Sequence, residues 1–181
     1  MNIGHQDCQK YNSNSGSSVR KFGPAGWDFL FISIMGGYPF KINPDNNEHL
    51  ITKKYFRQLF ESLGYTLACI FCRNSYKIFF TELNIDNYLS GRIELMYWLY
   101  LIKDKVNKKL IVQENACYNT EKIKYKELYK NKQISSDEYY QYINEFKQKN
   151  VFTKPSPPFR EILDKYETSR SRCTKSLNKC N

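Results

Sequence analysis

The residues of this sequence best suited to chemistry are Cys69 and Cys72, which stand two residues apart in the segment YTLACIFCRNSYKIFF. Two cysteines at this spacing can form a disulfide without moving the backbone. They stand at the predicted start of a helix, where exposed backbone N–H groups favour the thiolate that carries out redox chemistry. The spacing therefore predicts a redox-active cysteine pair in an apolar, aromatic helix.

Two other uses of this cysteine pair compete with redox chemistry. A CxxC pair can supply half of a zinc site, for which His5 and Cys8 could provide the other two ligands. The two cysteines could also be ordinary core residues. Zinc-binding turns usually place glycine and polar residues around their cysteines, whereas Cys69 and Cys72 stand among large apolar ones. Redox chemistry is therefore favoured, and no metal is predicted.

The composition narrows the class of protein. The chain has 181 residues, 41% of them hydrophobic, which suits one domain with extensions. It has no apolar run long enough for a membrane span and no basic-then-apolar leader, so neither a span nor secretion is expected. Six cysteines without a leader favour catalytic or redox-sensing thiols. The net charge of +10 is spread along the chain, which favours a solvated basic surface and predicts no specific nucleic-acid partner.

Helical periodicity predicts the elements that position the cysteine pair, and it makes the expected fold all-α. A turn at residues 22–26, FGPAG, precedes a first helix whose aromatic stripe begins at Trp27. A second helix is predicted over residues 47–63 with Gly64 as its stop, and the CxxC helix follows. A fourth helix is predicted over residues 91–110.

Three shorter helices are predicted in the C-terminal part of the chain. One covers residues 122–129, one follows the capping-box spacing of Ser135 and Glu138, and one opens at Pro158. The chain is then expected to comprise a mobile arm at 1–20, a helical bundle at 21–118, a helical extension at 119–168 and a flexible cysteine-bearing tail at 169–181.

Three segments stand in an order that is typical of one family. FGPAGWDFLF is similar to a GPxxWxxLH segment, CIFC stands at the position of an active-site CxxC, and GRIELMYWLYLIKDKVNKKL is similar to SRxELxxWLxxxHNxVNxxL. Together these segments, over residues 22–117, resemble the Erv/ALR family of FAD-linked sulfhydryl oxidases. The resemblance implies a four-helix up-and-down bundle with additional C-terminal helices, and an enzyme that forms disulfides in protein substrates.

The chain departs from the family pattern within two of these segments. The histidine of WxxLH is Phe31 here, and the His-Asn of HNxVN is Lys103-Asp104. Phe31 still offers an aromatic face for stacking, and Lys103 offers a charge that can pair with a phosphate. The resemblance implies FAD as cofactor and assigns it to ten positions: Gly23, Trp27, Phe31, Tyr38, Cys72, Lys103, Asp104, Val106, Asn107 and Leu110.

The resemblance also implies a mechanism. A substrate dithiol is expected to attack the Cys69–Cys72 disulfide at Cys69, the expected outer sulfur. Cys72 then passes electrons to the flavin, and O2 takes them from the flavin to give hydrogen peroxide. Cys173 and Cys180 are expected to act as a shuttle pair, although a structural bridge or plain thiols would fit these two residues equally well.

Partners and location are further expectations. The partners implied are protein dithiols and O2, together with a second copy of the chain, for which the first two helices carry enough aromatic surface. Stand-alone relatives of this kind are familiar from large cytoplasmic DNA viruses, and abundant Lys, Asn, Ile and Tyr suit an AT-rich genome. The expected location is the host cytoplasm or viral factory, with virion proteins as substrates and packaging in the virion.

Two alternatives to the oxidase remain. The replaced histidines motivate the first, a family relative that has lost FAD and serves as a structural or interaction protein of the virion. The second is a zinc-bearing nucleic-acid binder, whose affinity would depend strongly on salt.

Overall fold

The computed structural model describes residues 19–149 and 153–169. Within these residues the chain forms six α-helices and a short 3₁₀ helix, Ile85–Tyr88, so the prediction of an all-α fold is confirmed. None of the described helices is both long and apolar enough to cross a membrane. The α-helices are α1 (Val19–Gly37), α2 (Asn47–Thr66), α3 (Ile70–Glu82), α4 (Arg92–Lys130), α5 (Ser136–Lys149) and α6 (Phe159–Glu167).

The chain divides into two compact units. We call the first the bundle unit, whose described residues are 19–103 and 157–169, and the second the hairpin unit, whose described residues are 104–149 and 153–156. Helix α4 supplies residues to both, because its 39 residues contain neither proline nor glycine to end it earlier. The prediction of separate helices at 91–110 and 122–129 is therefore wrong, and the predicted end of the bundle at residue 118 falls inside this helix.

The core of the bundle unit is aromatic. The buried indole of Trp98 on α4 lies edge-on to Phe60 of α2 at 4.9 Å and to Phe80 of α3 at 5.9 Å between ring centres. Its Nε1–H donates to the carbonyl of Leu83 at 2.9 Å. Edge-to-face pairs of this kind stabilise beyond the area they bury. Trp98 thus joins three helices through packing and one hydrogen bond.

Two predicted helix boundaries are wrong. Residues 22–26 lie inside α1, which begins at Val19 and carries Pro24 within it. A proline there leaves one carbonyl without its helical donor, which costs stability without ending the helix. Gly64 lies buried inside α2, which continues to Thr66. The side chain of Lys77 would stand 3.1 Å from a Cβ at position 64, so this glycine serves close packing.

A short backbone pairing joins residues 40–42 to residues 90–92, just before α4 begins. The N–H of Ile42 donates to the carbonyl of Ser90 at 2.8 Å, and the N–H of Arg92 donates to the carbonyl of Phe40 at 3.2 Å. The guanidinium Nε of Arg92 also donates to the carbonyl of Tyr38 at 2.8 Å. A Cβ at Gly91 would lie 2.5 Å from the Phe40 oxygen, so this close approach requires glycine.

The described part of the hairpin unit contains the second half of α4 together with α5. Tyr125 and Tyr142 stack with ring centres 4.8 Å apart. The predicted capping box is confirmed: the Ser135 N–H donates to Glu138 Oε2 at 2.7 Å, and the Glu138 N–H donates to Ser135 Oγ at 3.2 Å.

We predict that Gly91→Ala destabilises the protein by about 1–3 kcal/mol, because the new methyl group must displace backbone. Chemical denaturation measures the change. Gly26→Ala is the matched control, since a Cβ there meets nothing within 4 Å. That change should be neutral or slightly stabilising, and equal losses in both variants would contradict the packing argument.

Candidate functional site

The cysteine pair lies at the start of α3, as predicted. Cys69 is the residue immediately before the helix, with extended backbone at φ −122° and ψ 125°, and Cys72 follows in the first turn. The N–H of Arg73 donates to the carbonyl of Cys69 at 3.0 Å, which closes that turn. The Arg73 guanidinium Nη1 donates back to the carbonyl of Leu67 at 2.6 Å and so fixes the chain leading into the pair.

Cys69 is less exposed than Cys72, which is the reverse of the order expected from the resemblance. Cys69 is 2% exposed, whereas Cys72 is half-buried. The prediction that Cys69 is the outer residue and Cys72 the inner one is therefore wrong. The backbone of Cys69 is extended, so its side chain does not belong to the helical face that carries Cys72 and Tyr76.

Aromatic residues that pack into the core hold α3 in place behind the cysteine pair. Tyr76, one turn after Cys72, donates its hydroxyl to the carbonyl of Phe60 on α2 at 2.8 Å, and burial raises the pKa of this phenol. One turn further along α3, Phe80 packs against Trp98. The position of the cysteine pair is thus set by a helix whose next two turns are anchored in the core.

A shallow groove runs along the second half of the same helix. It has a volume of about 360 Å³ and is lined by Lys77, Ile78, Thr81 and Glu82. Neither cysteine lines it, and neither does any residue predicted to bind FAD. It is therefore not the cofactor site that the sequence predicts.

Six of the ten residues assigned to FAD lie in the bundle unit, and Cys72 is one of them. Gly23 and Trp27 are half-buried in α1, and Trp27 packs against the core. Tyr38 is fully buried, and its hydroxyl donates to the carbonyl of Leu89 at 2.9 Å. Burial raises the pKa of Tyr38 to about 12, so this phenol stays protonated. Tyr38 is a structural residue in this arrangement.

Phe31, the predicted stacking residue, is fully buried. The ring of Tyr166 on α6 lies on it, with ring centres 4.9 Å apart and planes 13° from parallel. Tyr166 is itself only 1% exposed. The aromatic face that Phe31 would offer to a planar ligand is therefore covered by a residue of the same chain.

Lys103 lies beside this stacked pair. Its Nζ is 5.8 Å from the centre of the Phe31 ring. Burial is the main cause that lowers the pKa of Lys103, the charge of Lys165 lowers it further, and Asp28 partly opposes them. Burial removes water from the ammonium group, and the nearby carboxylate of Asp28 only partly compensates for the loss. An anion bound next to Lys103 would therefore stabilise its charged form.

The other four assigned residues lie in the hairpin unit. Asp104 forms an ion pair with Lys108 on the same helix at 2.6 Å. Asn107 Nδ2 donates to Ser156 Oγ at 2.9 Å. Val106 and Leu110 are half-buried.

These residues do not fit FAD in the arrangement described. A flavin or adenine ring needs an accessible face to stack on, but Tyr166 takes the face of Phe31 and Tyr38 is sealed in the core. In the bundle unit the planar aromatic contact that the resemblance assigns to a cofactor is made by α6.

The polar contact that helps to hold α6 was not predicted from the sequence. The hydroxyl of Tyr166 donates to Asp28 Oδ1 at 2.6 Å, and Lys165 Nζ donates to the same oxygen at 2.8 Å. The Lys165 hydrogen bond is the main cause that lowers the pKa of Asp28, and that from Tyr166 lowers it further. The sequence signal for this contact was Asp28, a carboxylate next to Trp27 in an aromatic helix. A charged residue in such surroundings usually has a partner.

Some predicted residues lie outside the described part of the chain. These are His5 and Cys8, the proposed zinc ligands, and Cys173 and Cys180, the proposed shuttle. Within residues 19–149 and 153–169, no three His, Cys, Asp or Glu side chains are grouped to hold a metal ion.

Comparison with known proteins finds similarity among solved structures only. No protein-family model matches the sequence, and no curated protein matches it. Among solved structures, the core of yeast Erv1 is similar, at 23% sequence identity and a TM-score of 0.44 over 55% of this chain and 77% of that one.

We predict that Lys103→Met raises the free energy of unfolding at pH 7, because it removes a charge that burial disfavours. The folded protein binds the Lys103 proton less tightly than the unfolded chain does. Wild-type stability should therefore rise with pH towards the ordinary lysine pKa of about 10.4. The difference between variant and wild type should narrow over the same range. Urea denaturation from pH 7 to 10.5 measures both.

The matched control is Lys54→Met, which replaces an exposed lysine of α2. Lys54→Met should change stability little at any of these pH values. A Lys103→Met protein less stable than wild type at pH 7 would show that the ammonium group is stabilising where it lies.

Proposed function

We propose that this protein is a sulfhydryl oxidase that forms disulfide bonds in protein substrates. The observation that carries the proposal is the placement of Cys69 and Cys72 at the start of a helix anchored in the core, with Cys72 partly accessible. Ile70 and Phe71, between the two cysteines, are 38% and 37% exposed. They give the pair an apolar surface that suits a peptide segment carrying reduced cysteines.

The exposures favour Cys72 as the sulfur that a substrate attacks. A substrate thiolate forms a bond to Cys72 Sγ, the Cys69–Cys72 bond breaks, and the electron pair leaves on Cys69 Sγ, which takes up a proton. The second substrate thiol then loses its proton and attacks the substrate sulfur of the mixed disulfide, and the electron pair leaves on Cys72 Sγ, which takes up a proton. The substrate gains a disulfide, and the protein gains two electrons and two protons as a reduced cysteine pair.

Turnover requires an oxidant for the reduced pair. The three sequence segments that resemble the Erv/ALR family support FAD as the group that accepts the electrons when bound, with O2 as final acceptor and hydrogen peroxide as product. The described arrangement offers FAD no open face at Phe31 or Tyr38, so this part of the proposal is supported by the sequence resemblance and not by the geometry.

The proposal extends to partners and location. Protein dithiols are the substrates, and Cys173 and Cys180 relay electrons from them to the Cys69–Cys72 pair. The protein works in a host cytoplasm or viral factory, where virion proteins are among its substrates, and it is packaged in the virion. A homodimer through α1 and α2 is also proposed. It is supported by exposed apolar residues on both helices: Phe29, Ile32, Leu50, Ile51 and Tyr55.

A second candidate function is favoured by one specific observation. Tyr166 covers Phe31 where the resemblance expects a cofactor ring. A chain that fills this position permanently would be a structural or interaction protein of the virion that retains the helical core and has lost FAD.

Oxygen consumption with a small dithiol distinguishes the two functions. For the purified protein supplied with FAD, the oxidase proposal predicts consumption of O2, one peroxide per dithiol and the visible absorption band of a flavin. Cys69→Ser and Cys72→Ser should each reduce the rate to background, because either change removes the disulfide.

Cys117→Ser is the matched control, since it replaces a buried cysteine of the hairpin unit. It should retain the wild-type rate. Full activity of Cys72→Ser would refute the mechanism. A colourless wild-type protein that takes up no FAD and consumes no O2 would favour the second function.

A further inference from the structure

The connection between α2 and α3 is short, and it places Cys69. Helix α2 ends at Thr66 and α3 begins at Ile70, so residues 67–69 make the whole connection. The chain leaves the helical conformation at Leu67, whose backbone is at φ −54° and ψ 136°, and the backbone of Cys69 is extended as well. The position of the Cys69 sulfur is therefore set by this connection rather than by helical geometry.

Cys69 occupies the N-cap position of α3 without acting as a cap. A serine, threonine, aspartate or asparagine at this position usually accepts a hydrogen bond from a backbone N–H of the first turn. The Cys69 side chain makes no such bond to the first turn of α3, which is wholly described. The connection is therefore held in place by other contacts.

Arg73 supplies two of these contacts. Its backbone N–H donates to the carbonyl of Cys69 at 3.0 Å, and its side-chain Nη1 donates to the carbonyl of Leu67 at 2.6 Å. A charged donor makes a shorter and stronger hydrogen bond than a neutral one. The Leu67 bond is also partly buried, where water competes with it less. One residue thus ties both ends of the connection to the first turn of α3.

This tie bears on which sulfur is accessible. Cys69 is 2% exposed, whereas Cys72, one turn along, is half-buried. If the Leu67 carbonyl were released, residues 67–69 could open locally without unfolding α3, because Tyr76 and Phe80 anchor that helix further along. Cys69 would be uncovered in the opened form.

We propose that Arg73 is a positioning residue, whose hydrogen bond to the Leu67 carbonyl keeps Cys69 covered and leaves Cys72 as the sulfur that thiols and thiol reagents reach. This inference rests on the proposed function, because it assigns the roles of the two cysteines in that reaction. A substrate thiolate bonds to Cys72 Sγ, the Cys69–Cys72 bond breaks, and the electron pair leaves on Cys69 Sγ, which takes up a proton. Arg73 does not touch the substrate in this step, but it determines which sulfur is attacked.

Variants at two positions separate the hydrogen bond from the charge. Arg73→Met removes every side-chain donor and keeps an unbranched stem. Arg73→Gln carries a neutral amide on a shorter side chain, and it keeps the test valid if Arg73→Met does not fold. Arg73→Lys keeps a charged donor and is the conservative variant. Lys77→Met is the matched control, since it removes a positive charge from the next turn of α3, where Lys77 is exposed and its Nζ lies 4.2 Å from the centre of the Tyr65 ring.

The test measures the alkylation rates of Cys69 and Cys72 in the reduced full chain, by iodoacetamide labelling and mass spectrometry. In wild type, Cys72 should react much faster than Cys69. Arg73→Met and Arg73→Gln should speed the labelling of Cys69 about tenfold, because the loss of a charge-assisted hydrogen bond shifts a local opening equilibrium by about that factor. Labelling of Cys72 should change less than about twofold. Arg73→Lys should stay closer to wild type, and Lys77→Met should match it.

Two results would overturn the role of Arg73. One is a labelling rate of Cys69 that Arg73→Met and Arg73→Gln leave at the wild-type value. The other is an equal gain for both cysteines together with faster hydrogen exchange in residues 76–82, which would show that Arg73 only stabilises α3. Neither result bears on the oxidase, which oxygen consumption tests separately. If the labelling follows the prediction but the protein consumes no O2 with a dithiol, Arg73 positions the pair and the oxidase proposal is wrong.

Discussion

The bundle unit depends on the burial of one side chain, the indole of Trp98. A ring of this size is excluded from water only when several helices surround it, and here Phe60, Phe80 and the Leu83 carbonyl supply its contacts. Because Phe80 lies on α3, the contacts that bury Trp98 also fix the helix whose first turn contains Cys72. The chemistry of the pair and the stability of the unit therefore rest on the same contacts.

The ring of Phe31 is buried in a different way from that of Trp98. There the covering residue, Tyr166, comes from a nine-residue helix near the end of the described chain, which buries Ile162 and Tyr166 in the core and adds a partly exposed cluster of Tyr166 with Asp28 and Lys165. A surface ion pair contributes little to stability because water competes for its partners. The two parts of the core thus differ in how they are covered: residues of α2 and α3 surround Trp98, whereas Tyr166 of the short helix α6 covers Phe31.

Features that local chemistry dictates could be predicted from the sequence. The helix start at Cys69 and Cys72, the capping box of Ser135 and Glu138, and a last helix after Pro158 all depend on neighbouring residues. The length of α4 was missed because hydrophobic periodicity weakens in the middle of it, although nothing there ends a helix. The exposure order of the cysteines could not be predicted, because the sequence does not show that the backbone of Cys69 is extended and its side chain is off the helical face.

The stack of Tyr166 on Phe31 could not be predicted, since periodicity shows which residues are buried but not which distant residue buries them. Because of that stack, the ring of Phe31 is not available to a cofactor. Phe31 and Tyr38 have the residue types that a flavin site needs, but their surroundings are those of a packed core.

The most direct test of the central claim, that Cys69 and Cys72 form a redox-active pair, is disulfide mapping by mass spectrometry at a series of glutathione redox ratios. The account predicts a Cys69–Cys72 disulfide under oxidising conditions, converted to two alkylated thiols in a single two-electron transition. If both cysteines are alkylated at every ratio, or pair only with other cysteines, the oxidase account is wrong.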